Sequence, residues 1–151
     1  MRAERGEGGD STVEGNGDSV CVQGPSHVGS RIRVLLVDDH KAMRDGLAGL
    51  LGFEPDIEVV GVATDGLEAV ALAEALEPDV ITMDVTMPGM SGLEATSIIA
   101  AKVPHARIIG LSMHFDYSVA AAMREAGAAT YLTKGGPEED LLAAIRGCRR
   151  A

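Results

Sequence analysis

From Arg31 onward, short apolar runs alternate with segments whose apolar positions recur every three or four residues. That rhythm is the signature of repeated strand–helix units. It predicts strands at Ile32 to Val37, Glu58 to Ala63, Asp79 to Met83, Arg107 to Leu111 and Ala128 to Leu132. Val34-Leu35-Leu36-Val37 is apolar at every position rather than at alternate ones, as suits a parallel strand covered on both faces. Between the strands the spacing predicts five helices. The first carries Met43, Leu47, Leu50 and Leu51 on one face, and the second carries Val70, Ala73 and Leu76. A third opens after Ser91-Gly92, with Leu93, Ile98 and Ile99 as its apolar positions, and a fourth runs from about Phe115 to Ala126. The last starts at Pro137, where proline suits a first turn; Glu138, Glu139 and Asp140 complement the positive end of its dipole, and Arg146, Arg149 and Arg150 the negative end. Five strands and five helices with right-handed crossovers give an α/β fold, one doubly wound parallel sheet.

Residues 1–30 differ in kind. They hold seven of the 19 glycines among Ser, Asp and Glu, with hardly any periodic apolar pattern, and such a segment buries too little to offset its ordering entropy. They read as a disordered Gly-rich tail, leaving 31–151 as one domain, and the 151 residues have no room for a second of comparable size. A net charge of −10 argues against a nucleic-acid surface or an anionic membrane, either of which calls for clustered Lys and Arg. No apolar run reaches the length of a spanning helix, and the N-terminus lacks the layout of a signal peptide, so the expectation is a cytosolic protein. Cys21 and Cys148 are too few and too far apart for a disulfide framework or a zinc site.

The candidate chemistry lies where the strands stop. The first ends in Asp38-Asp39, the third in Asp84, the fourth in Ser112, and Lys134 follows the fifth after Tyr131. In an open α/β sheet these ends share one edge, which is where ligands bind. Alone, Asp38 and Asp39 could cap the helix that starts near His40. Together with Asp84 they form a three-carboxylate edge held by one lysine, and its mutual repulsion calls for a hard divalent ion such as Mg²⁺. Carboxylate, metal, hydroxyl and ammonium together suit a transferring phosphoryl group. His40, His105 and His114 are not spaced as metal ligands and read as surface or helix-start residues. Met83, Met87, Met90 and Met113 cluster in sequence around the site and read as packing.

VLLVDDH, MDVTMPGMSGLEA, LSMH and GAATYLTKG, in this order and spacing, resemble the receiver domains of two-component response regulators, and in detail the NarL/FixJ-type (LuxR-type) subgroup. The resemblance spans residues 31 to about 148. It implies a flavodoxin-like sheet in the order 2-1-3-4-5. It implies that Asp84 is the phosphoacceptor, taking a phosphoryl group from the phosphohistidine of a sensor histidine kinase. Asp39 and Asp84 would hold Mg²⁺ directly, Asp38 would act largely through water, and Thr86 would offer its backbone carbonyl. Lys134 would pair with the phosphoryl oxygens and Ser112 would hydrogen-bond one of them. Tyr131 would swing inward as the switch aromatic. The signal would leave through the face of the fourth helix, fifth strand and fifth helix, where the apolar surface of Phe115, Val119 and Met123 would receive an output protein or a second copy of the chain.

Two departures matter. Many receivers have a proline, joined by a cis peptide, after the lysine; here it is Gly135. The subgroup normally continues into a helix-turn-helix domain, whereas this sequence stops at Arg150-Ala151, which leaves two alternatives: a stand-alone receiver, or the receiver half of a DNA-binding regulator. A Mg²⁺-dependent phosphatase of the haloacid dehalogenase type is a distant alternative. It would need a second acid two residues after the nucleophile, where Thr86 stands.

Overall fold

The computed structural model describes residues 31–147 apart from residue 88. The expected tail, both cysteines, Pro88, Arg149 and Arg150 lie outside the described residues. Five strands, β1 (Ile32–Val37), β2 (Ile57–Ala63), β3 (Val80–Asp84), β4 (Arg107–Ser112) and β5 (Thr130–Thr133), alternate with five helices. These are α1 (Lys41–Gly52), α2 (Gly66–Leu76), α3 (Gly92–Lys102), α4 (Tyr117–Ala126) and α5 (Glu138–Gly147). All strand pairs are parallel and the order across the sheet is β2-β1-β3-β4-β5, the flavodoxin-like arrangement expected.

The unbroken apolar run of β1 has a two-sided reason. Leu35 and Val37 point into a core shared with Ala69 and Ala73 of α2, Ala95 and Ile99 of α3, and Ala120 and Met123 of α4. Val34 and Leu36 point into a second core with Leu51 of α1 and Leu141 and Ile145 of α5. Helices thus cover both faces, and alternate residues of one strand feed different cores.

Element ends shift where caps or turns outbid periodicity. α4 starts at Tyr117 rather than Phe115 because the Asp116 carboxylate accepts hydrogen bonds from the backbone N–H groups of Ser118 and Val119. Ser91 caps α3 by accepting from Glu94 N, as the sequence suggested. β5 begins at Thr130 rather than Ala128 because Gly127 ends α4 at φ 122° and Ala128 N still bonds back to Met123 O. β3 runs one residue further than expected, so Asp84 is its last residue. No cis peptide occurs among the described residues, so the Lys134-Gly135 bond is trans.

Candidate metal and phosphoryl site

The parallel register brings the carboxyl ends of β1, β3 and β5 to one edge, and Asp38, Asp84 and Lys134 meet there. Lys134 Nζ lies 2.9 Å from Asp38 Oδ2 and 3.1 Å from Asp84 Oδ1, with all three side chains 2 % exposed. Asp38 Oδ1 accepts a 2.8 Å hydrogen bond from His40 N, and the Arg44 guanidinium donates to the Asp38 carbonyl. Asp38 Oδ1 is therefore hydrogen-bonded, whereas its Oδ2 has the Lys134 ion pair but no hydrogen bond. Burial works against its charge, but Lys134 and the His40 N–H outweigh it and hold the group below the ordinary aspartate range. The helix-cap alternative for the acidic pair fails: α1 is N-capped at His40 with no side-chain cap bond.

Asp84 has the opposite balance. Burial, followed by the Asp38 charge, pushes its carboxyl up to about 6 despite Lys134. Its Oδ1 accepts from Thr86 N at 3.2 Å, whereas its Oδ2 is buried with no hydrogen-bond partner. Asp39 Oδ1 is likewise buried without a hydrogen bond, although its side chain is 27 % exposed. Burying carboxylate oxygens unpartnered is unfavourable. Three carboxylates against one ammonium also leave a formal charge of −2 once all are ionised, which one divalent cation offsets. The donor set thus fits a hard metal ion, with Asp39 and Asp84 holding the free oxygens.

The other expected residues stand close by in different roles. Ser112 turns its hydroxyl away from the acids and donates to His114 O at 2.9 Å. The Tyr131 hydroxyl donates to the same carbonyl at 3.4 Å. Tyr131 is buried, 5 % exposed. Gly110 makes the room: a Cβ there would stand 3.1 Å from Tyr131 Cδ1 and 2.9 Å from Met123 Cε. A glycine inside an otherwise apolar strand was the sequence signal for that space. Thr86 is exposed beside Asp84.

Three expectations need correction. Met123 is fully buried in the core, so it offers no surface to a partner; the exposed apolar groups of that region are Phe115 and Tyr117, joined by Met113. Met113 is 63 % exposed and is not packing, unlike Met83 and Met87. His40 is more than a helix-start residue: its Nδ1 comes within 3.1 Å of Asp39 Oδ1, and one ligand atom each from Asp38, Asp39, His40 and Asp84 all lie within 4.8 Å of one another. Spacing along a single element did not reveal this, because the ring folds back over the strand end that precedes it.

Comparisons with known proteins agree with this geometry. Residues 34–146 match the family model of the response regulator receiver domain. The transcriptional regulatory protein LiaR of Bacillus subtilis (strain 168) is 48% identical over 115 residues, covering 76% of this chain and 54% of LiaR. The chain therefore spans about half the length of that relative. A LuxR-family two-component response regulator from Aurantimonas sp. SI85-9A1 superposes with a TM-score of 0.74 at 39% identity, over 81% of this chain and 89% of the other. A response regulator protein from Burkholderia pseudomallei, solved with a phosphorylated aspartic acid, calcium ion and citrate, gives 0.66 at 30% identity, over 75% and 65%. A sheet in receiver order, acids on its carboxyl edge and these matches lead to one assignment: the chain belongs to the response regulator receiver domain family, alongside NarL/LuxR-type regulators.

Proposed function

We propose that this receiver is switched by phosphorylation of Asp84 with Mg²⁺ bound beside it. The observation that carries the reading is the state of the Asp84 carboxylate: one oxygen faces Lys134, and the other is buried with no hydrogen bond. A carboxyl raised to about 6 is still ionised at neutral pH and is more basic than an ordinary aspartate, which suits a nucleophile. A carboxylate oxygen of Asp84 attacks the phosphorus of a sensor kinase's phosphohistidine while the other is left to the metal; the P–O bond forms, the P–N bond breaks, and an aspartyl phosphate and free histidine result. Lys134 stays against the oxygens that gain charge. Asp39, Asp84 and the Thr86 carbonyl would hold Mg²⁺, which supplies charge neutralisation and orientation to the phosphoryl oxygens. Asp38, with one oxygen hydrogen-bonded and the other ion-paired with Lys134, would act through water. The phosphorylated aspartic acid of the Burkholderia protein supports the same chemistry by analogy.

Phosphorylation would draw the Ser112 hydroxyl from His114 O toward the new phosphoryl oxygens and leave Tyr131 as the sole side-chain donor to that carbonyl. The change would spread over α4, β5 and α5, where Phe115 and Tyr117 offer apolar surface to an output protein or a second copy of the chain. Residues 31–151 would form the receiver and 1–30 a tail, a division the matched span 34–146 supports. LiaR's description as a transcriptional regulatory protein, with this chain spanning about half of it, favours the receiver half of such a regulator, working in the cytoplasm. No described helix is long and apolar enough to cross a membrane.

The test is intact mass after incubation with acetyl phosphate and Mg²⁺. One added phosphoryl group, absent in Asp84→Asn and without Mg²⁺, is the expected result. An unmodified parent, or phosphorylation that persists in Asp84→Asn, would refute the reading.

A further inference from the structure

We infer that His40 is a ligand of the metal at this site, and that it shifts the site's preference toward first-row transition ions over Mg²⁺. The inference rests on the metal reading above and goes beyond it.

The argument begins with which donors are free. Asp38 Oδ1 accepts from His40 N; its Oδ2 has no hydrogen bond but is ion-paired with Lys134 at 2.9 Å, which leaves that carboxylate less for an ion. Asp39 Oδ1 and Asp84 Oδ2 are buried and lack hydrogen bonds. The His40 ring stands beside the first of these, Nδ1 lying 3.1 Å from Asp39 Oδ1 and 3.2 Å from Asp38 Oδ1. Two ligand atoms held at about 2.1 Å and about 90° around one ion are about 3.0 Å apart. The Nδ1–Oδ1 separation is therefore that of neighbouring ligands of a six-coordinate ion. Asp84, 1 % exposed, also belongs to the group, its ligand atom falling within the same 4.8 Å cluster.

Without an ion, Nδ1–H can donate to Asp38 Oδ1. With an ion bound, the neutral ring carries its proton on Nε2, and Nδ1 presents its lone pair. No change of net charge is needed, and the half-open position of the ring, 65 % exposed, leaves Nε2–H to solvent. A set of carboxylates alone is hard and suits Mg²⁺. Adding one imidazole nitrogen raises affinity for Mn²⁺, Co²⁺, Ni²⁺ and Zn²⁺ along the usual order, while Mg²⁺ gains little. His40 is thus a specificity-determining residue placed next to an acidic pair.

The test uses the full chain and separate calorimetric titrations with Mg²⁺ and Ni²⁺, with Asp84→Asn to mark which binding belongs to this site. His40→Ala is a mild change, because the side chain caps nothing and is largely exposed. It should weaken Asp84-dependent Ni²⁺ binding about tenfold or more, and leave Mg²⁺ affinity within about twofold. Pulsed electron paramagnetic resonance of bound Mn²⁺ should show coupling to a nitrogen nucleus, lost in His40→Ala. Equal losses for both ions, no loss for either, or bound Mn²⁺ without nitrogen coupling would overturn the role of His40 and leave the metal site standing. Absence of any Asp84-dependent ion binding in the parent would overturn the metal reading, and this inference with it.

Discussion

Asp84 is expensive to keep charged in the ion-free protein. Its folded value of about 6 exceeds the 3.8 of an exposed aspartate, so between those values the folded state holds more proton than the unfolded one. Stability then falls as pH rises through that window and returns as pH falls. The groups facing the carboxylate are Asp38, Asp39, His40 and Lys134, and Lys134 is the one ion-paired with it. Asp84→Asn should accordingly stabilise the metal-free protein at pH 7.5 by on the order of 2 kcal/mol. The gain should shrink toward zero near pH 4, as read from urea unfolding with a chelator present. A gain that is constant with pH would assign it to packing instead of charge. Of the residues at this edge, the acids and Lys134 were legible in the sequence as one group because they stand at or just past strand ends, where topology alone brings them together. The contacts of His40 were not, since they depend on a ring folded back over a turn, and the glycine in β4 signalled a space without showing that Tyr131 and Met123 border it.

At the scale of elements, the closest fit is where α3 meets the end of β3. A Cβ on Gly92 would lie 2.1 Å from Asp84 O and 2.8 Å from Val85 Cα, both backbone atoms that have little freedom to move. The first residue of α3 is thus pressed against the strand that carries the proposed phosphoacceptor. Gly92→Ala should cost about 2–3 kcal/mol by overpacking, and should also weaken metal binding by displacing Asp84. Gly46, within α1, has nothing within 4 Å of its would-be Cβ, so Gly46→Ala should add up to about 1 kcal/mol through helix propensity alone. Urea midpoints of the two variants should move in opposite directions; movement in the same direction would refute the contact argument. The apolar rhythm revealed the order and number of the elements, because the central strands β1, β3 and β4 are buried on both faces and the helices on one. It could not show Arg146 reaching Asp56 Oδ2 at 2.8 Å and Glu54 Oε1 at 2.6 Å, where a dipole-complementing arginine was expected. Those partners stand 90 and 92 positions away, and only the packing of α5 beside the α1–β2 loop joins them.

For the molecule as a whole, the question is how a charge at Asp84 is felt at the surface. Ser112 and Tyr131 share the His114 carbonyl, and Phe115 packs edge-on against both Tyr131, at 5.4 Å, and exposed Tyr117, at 4.8 Å. That chain of contacts runs from β4 to the solvent. Phosphorylation can shift it only by its differential interaction with two arrangements, and complete conversion from 1:99 to 99:1 would take about 5.5 kcal/mol. A partial shift is expected. Hydrogen exchange across residues 112–133 should change when beryllofluoride and Mg²⁺ are added to the parent, and change less in Ser112→Ala. Identical responses, or none in the parent, would refute the coupling.

The lysine that compensates the acids comes just after β5, the last of the described strands. Asp38 follows β1 and Asp84 ends β3, strands that pair directly at the centre of the sheet, while Lys134 follows β5 at its edge. A ribosome therefore releases both acids long before their counter-charge, and a nascent chain that zips β1 to β3 must hold like charges side by side until residue 134 emerges. Cellular divalent cations can occupy that role in the interval. The same edge that would receive a signal in the finished protein would then lean on dissolved metal to assemble, until lysine takes over.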